Sequence, residues 1–173
     1  MGDLIFIGSV FCALISAYIL LFKKNIVHLF SDRILAFLFL CYSYCTIGYL
    51  LISSGWLIYF PFLYRTSAPV NYLIPPLAYL YVKSVLNNKN KWQWVDALHL
   101  IPFILISINY IPLFTMSIEN KNAIVKMVIE NYTNNYNMQD GYLSENIQFL
   151  RPIQSLFYIL LQWRLIYNFE NFG

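Results

Sequence analysis

The chain alternates long apolar runs with short polar corners. Leu4 to Phe22 holds no charged residue and stops at Lys23-Lys24-Asn25, about the length that crosses a hydrocarbon core of roughly 30 Å. A short turn containing His28, Asp32 and Arg33 follows, with Ser31 placed to cap a second run, Ile34 to Ser53. Ser53-Ser54-Gly55 ends that run, because paired hydroxyls and glycine favour a turn. Trp56 to Tyr64 is apolar and aromatic but too short to cross, and its rings suit the headgroup level. Pro69 opens a third run reaching residue 86. Lys83 to Lys91 is a polar turn, marked at its end by Trp92 and Trp94, and Ala97 to Thr115 is the fourth run. Phe149 to Tyr167 is a fifth, interrupted by Arg151-Pro152 near its start and by Gln162 and Arg164 near its end.

These runs predict an all-α fold: a multi-pass integral membrane helical bundle of about five transmembrane helices. Residues 1–173 form a single transmembrane domain, with spans at 4–22, 34–53, 69–86, 97–115 and 149–167 and a polar loop at 116–148. Within that loop Ile124, Val125, Val128 and Ile129 share one helical face, which predicts a short amphipathic helix resting on the membrane surface. Asn131 to Gly141 reads as irregular. Pro75-Pro76 falls in the first turns of the third span. Each proline lacks a donor and clashes with the preceding turn, so a bend is expected there. The carbonyls it frees need partners, and Ser67, Asn71 and Tyr72 are the nearest polar groups.

Composition agrees with the pattern. The 173 residues are 60% hydrophobic and 19% aromatic but only 11% charged, with mean hydropathy +0.58. Soluble domains carry about a quarter charged residues. The net charge of +3 is scattered between apolar runs and forms no nucleic-acid-binding patch. The three cysteines, Cys12, Cys41 and Cys45, lie inside apolar runs and imply no disulfide framework. Asp3 precedes the first run and lysines follow it, the reverse of a secretory signal, so this run is expected to be an uncleaved anchor. With the N-terminus outside, the inner corners hold Lys23, Lys24, Arg33, Lys83, Lys89 and Lys91, and Arg164 ends the last span on the inner side. The outer segments hold Arg65, Lys121, Lys126 and Arg151. That asymmetry predicts a cytoplasmic C-terminus.

Candidate chemistry is sparse. Asp96 and His99 share a helix face, where a metal or proton relay could use them. No third ligand stands at metal spacing, and capping of the fourth helix by Asp96 at the interface is the simpler account. His28 lies in a turn and reads as solvated. Cys41 and Cys45 are one turn apart, yet core packing explains them without a soft metal. Membrane-hydrolase motifs such as HExxH and GxSxG are absent, so no catalytic residue, cofactor or metal is assigned and the chain is not read as an enzyme. Asn131-Tyr132-Thr133 has the form of a glycosylation acceptor, a triplet common by chance.

The pattern Arg65…Pro69…Tyr72-Leu73…Pro75-Pro76-Leu77…Tyr79-Leu80-Tyr81-Val82, then Trp94…Asp96…His99…Ile101-Pro102, resembles the membrane half of bacterial membrane-anchored AraC-type transcriptional regulators. The likeness runs from Leu4 to about Tyr167. It implies a cell-membrane location, a sensory and anchoring role, and a helix-turn-helix domain after the last span. Nothing up to Gly173 reads as a recognition helix, so the sequence is expected to stop before the DNA-binding domain, and DNA is a partner only through that domain. The lipid bilayer and a second copy of the chain are the other partners considered. Tyr64, Arg65, Asn71, Tyr72, Pro75 and Pro76 are the expected signal-sensing or packing residues, with Asp96 and His99 fixing the turn. A small multi-pass transporter, or a transporter half, is the alternative, resting on the helix break at Pro75-Pro76.

Overall fold

The computed structural model describes residues 2–23, 29–87, 91–130, 141–143 and 149–172. His28, Lys24, Lys89 and the Asn131-Tyr132-Thr133 triplet lie outside them. Regular structure among the described residues is entirely helical. The first two helices are α1, Gly2–Phe22, and α2, Leu29–Ser53, the second starting five residues before the apolar run does. Ser31 is therefore inside α2 and buried, where a cap was expected, because the chain is already helical from Leu29. Two 3-10 turns, Trp56–Tyr59 and Pro61–Leu63, then lead into α3, Ser67–Asn71, and α4, Ile74–Leu86. After the next polar corner come α5, Trp94–Ala97, a 3-10 turn Leu98–Leu100, α6, Ile101–Asn109, and α7, Ile111–Thr115. The last two are α8, Ile118–Glu130, and α9, Leu150–Phe172.

Proline sets most of these boundaries. Pro75, Pro102 and Pro112 stand in the first turns of α4, α6 and α7, where a missing N–H costs nothing. The third and fourth apolar runs are thereby cut into short pieces. At about 1.5 Å per residue, the 13 residues of α4 rise roughly 20 Å, short of a hydrocarbon core. Among the described residues two helices are long and apolar enough to cross a membrane, Leu4–Phe22 and Leu29–Ser53. Arg151, Gln154, Gln162, Arg164 and Glu170 make α9 too polar to join them, although its 23 residues suffice in length.

α1 packs along α2, α2 packs on α3 and α4, and α9 lies along α4. Gly48 lets α2 approach α3: a Cβ there would stand 2.8 Å from the Ser67 hydroxyl. The core forms two clusters along this stack. One joins Ile34, Leu38 and Cys41 of α2 to Leu73, Ile74, Leu77 and Leu80. The other joins Leu57, Tyr64, Tyr72, Ile106, Tyr110 and Leu113 to Val125 and Val128 of α8. The apolar stripe expected on α8 is thus real, but it covers protein. Val125 and Val128 are fully buried against the 3-10 turns, so the helix caps one end of the bundle. The outer surfaces of α1 and α9 remain apolar and uncovered, with Leu4 78%, Ile5 73% and Trp163 74% exposed.

Candidate functional site

The two clusters meet at the break in the third apolar run. Tyr72 belongs to one and Leu73 to the other, and these two residues separate α3 from α4. Pro76 removes the amide that would have bonded the Tyr72 carbonyl four residues earlier. The replacement donor comes from α9, where Gln154 Nε2 lies 3.0 Å from that oxygen. Asn71, one of the local groups expected to do this, is occupied otherwise: its Nδ2 donates to the Ser67 carbonyl at 3.1 Å. A side chain 82 residues away satisfies the defect, and the Gln154 Oε1 atom is left buried without a partner.

Beside this break lies a cavity of about 730 Å³. Tyr64, Arg65, Asn71 and Tyr72, four of the expected sensing residues, line it together. Pro75 and Pro76 do not line it; they create the break that shapes its wall. The other lining groups include Tyr110 from the α6–α7 junction and Arg151 and Ser155 from α9. Arg65 sits at φ 62°, the one non-glycine residue with positive φ among those described. That conformation costs an ordinary side chain about 1–3 kcal/mol and re-aims it relative to an extended strand or helix. Its guanidinium lies over the Tyr64 ring at 5.4 Å from the centroid. Hydrogen bonds fix the chain just after it: Ala68 N–H donates to the Arg65 carbonyl, and Tyr44 donates to the Thr66 hydroxyl at 2.7 Å.

Asp96 and His99 lie away from the cavity, at the other end of α4. The Lys83 ammonium is 2.7 Å from Asp96 Oδ1, and the two side chains are 16% and 5% exposed. Asp96 Oδ2 also accepts the Gln93 N–H at 3.0 Å, the capping role read from the sequence. His99 Nδ1 stands 2.8 Å from the Tyr158 hydroxyl of α9, and Tyr79 packs against both rings. This cluster therefore ties α9 to the corner between α4 and α6. Cys41 is packed in the apolar core and Cys45 donates weakly to the Ser67 carbonyl. Among the described residues no three His, Cys, Asp or Glu side chains converge on a metal-sized site.

Sequence reading missed Lys83, Arg151, Gln154 and Tyr158. In the sequence Arg151 reads only as an interruption of the fifth run, and Gln154 draws no reading at all. The rule that polar groups inside apolar helices mark partners or sites points to both. Lys83 and Asp96, opposite charges flanking one short corner, carried the same kind of signal.

No family model matches the chain, and no characterised protein or solved structure matches it either.

Proposed function

We propose that this chain is the transmembrane sensory and anchoring portion of a membrane-bound transcriptional regulator of the AraC type. In this reading it forms a bundle of about five crossings with the N-terminus outside, and DNA binding belongs to a domain beyond Gly173. Support comes first from the resemblance centred on Tyr64 to Pro102. The observation that carries the sensory part is that the broken helix and the last helix share one cavity wall, joined by the Gln154 to Tyr72 hydrogen bond. A ligand there would bias α9 directly, and α9 is the helix that leads toward any output domain. A shift between two helix packings is enough to transmit such a signal if the ligand prefers one of them.

The break at Pro75-Pro76 fits a membrane helix whose freed carbonyl is met by a neighbouring helix. The uncovered apolar faces of α1 and α9 are those lipid would cover. Transcript profiling tests the reading. Removing the gene should change a small set of transcripts, and supplying the intact gene should restore them. An unchanged profile under every growth condition in which the protein is made refutes it.

A further inference from the structure

We infer that the contact between His99 and Tyr158 is a proton-operated latch: it holds α9 on the bundle while the imidazole is neutral and lets go when the imidazole takes up a proton. The inference names protons as a signal for the sensory reading above and rests on that reading only for its physiological meaning. Tyr158 is the one buried residue of α9 among those described, at 5% exposure. Every later residue of the helix up to Glu170 is half-buried or exposed, so this side chain is the anchor of its lower half. The Tyr158 hydroxyl lies 2.8 Å from His99 Nδ1, and among the described residues it has no other hydrogen-bond partner.

The hydrogen-bond chemistry selects a protonation state. A phenol O–H donates and accepts, whereas a neutral imidazole has one donor nitrogen and one acceptor nitrogen. When Nδ1 accepts, the phenolic hydrogen is satisfied, and the remaining Nε2–H belongs to a ring that is only half-buried. When Nδ1 carries a proton, as in the imidazolium, it must donate to the same oxygen. The phenolic hydrogen is then left inside the protein without an acceptor, and an unmet buried donor costs more than one made bond returns. Protonation also adds a cation to a corner whose charges are already balanced. Among the described residues the charged and titratable groups around the ring are Tyr79 and Lys83 of α4, Asp96 of α5 and Tyr158 itself. Lys83 and Asp96 pair with each other at 2.7 Å, and His99 has no carboxylate within ion-pair distance. The latch is therefore closed above the ordinary imidazole value of about 6.5 and opens as the pH falls below it. In the orientation proposed above, His99 lies at an inner corner, so the compartment sensed is the cytoplasm.

The experiment uses the full chain in lipid nanodiscs, titrated from about pH 8 to about pH 5. Nitrogen NMR of labelled histidine reads the tautomer, with His28→Gln assigning the His99 signals. Pulsed electron paramagnetic resonance reads the distance between spin labels at Asn87→Cys, at the end of α4, and Asn168→Cys, on α9, with the native cysteines replaced by alanine. At the alkaline end His99 should be the Nε2–H tautomer and the labels should give a single distance. On acidification the distances should lengthen and spread, in step with His99 and with a midpoint within about one unit of 6.5. His99→Gln, whose carbonyl accepts the phenolic hydrogen and does not titrate, should keep the alkaline distance throughout. Tyr158→Phe leaves no hydrogen to strand and should lose most of the pH response. An Nδ1–H tautomer at the alkaline end overturns the proposal. So does a His99 that stays neutral across the range, or a distance that stays fixed while His99 titrates. A response of native size in either variant overturns it too, and in the glutamine variant would shift the sensor to another group. Should the glutamine variant not fold, the tautomer and Tyr158→Phe still decide. A pH-independent α9 with an intact transcriptional response sinks only the latch, whereas a working latch without any transcriptional effect sinks only the regulator.

Discussion

At the scale of single residues, the Lys83–Asp96 pair is a buried charge pair whose loss has a definite cost. Both charges are mostly withdrawn from solvent, and the carboxylate also caps α5. A buried pair adds little over well-packed apolar groups, but removing one partner strands the other. Asp96→Ala is therefore expected to destabilise the protein by about 3–5 kcal/mol. Asp96→Asn, which keeps an acceptor for the Gln93 amide, should cost less. Thermal unfolding in detergent, followed by circular dichroism, measures both. A loss below about 1 kcal/mol for the alanine variant would show that the ammonium finds water or another partner. Asp96 and His99 stood out in the sequence because charge and imidazole are scarce in apolar runs. Their partners Lys83 and Tyr158 did not, since a corner lysine and one tyrosine among fifteen look ordinary until the helices are packed.

At the scale of elements, the proline pair explains why one predicted span is observed as α3 and α4. The sequence showed where the break falls but not what repairs it, because repair is a contact between distant segments. Pro76→Ala restores an amide that competes with Gln154 for the Tyr72 carbonyl. Hydrogen exchange around residues 72–77 is expected to slow, and the cavity wall to straighten. Exchange as fast as in the native protein would mean that the bend is held by packing of Tyr72 and Leu73 instead. The end cap formed by α8 carries the same lesson. Its 3.6-residue stripe was legible in Ile124, Val125, Val128 and Ile129, yet periodicity cannot say whether the stripe faces lipid or protein. Leu57 and the 3-10 turns supply the answer through burial.

At the scale of the whole molecule, the helical class and the first two membrane-length helices follow from composition and run length alone. The remaining spans do not, because proline and polar residues divide those runs. The extensive uncovered apolar surface makes a direct prediction. The protein should stay with membranes through alkaline carbonate washing and should require detergent for solubility. Release by the wash would mean that another protein covers α1 and α9. A reporter fused after Phe172 should be active in the cytoplasm, and activity on the outer side would reverse the orientation.

Gln154 and Tyr158 stand one turn apart on α9, each engaged with a fixed station: the Tyr72 carbonyl and His99. The next residue on that stripe is Gln162, so the series offers an amide, a hydroxyl and another amide at equal intervals. A slide of α9 by one turn toward its own N-terminus, about 5.4 Å, would hand Tyr158 to the first station and Gln162 to the second. Both positions would keep a hydrogen-bonding group at each station, so α9 is expected to act as a pawl with two resting notches, intermediate positions leaving both stations empty. Cysteine pairs at 99 and 158, and at 99 and 162, would cross-link in different notches. Cross-linking of the first pair alone, whatever ligand is present, would mean the pawl never moves.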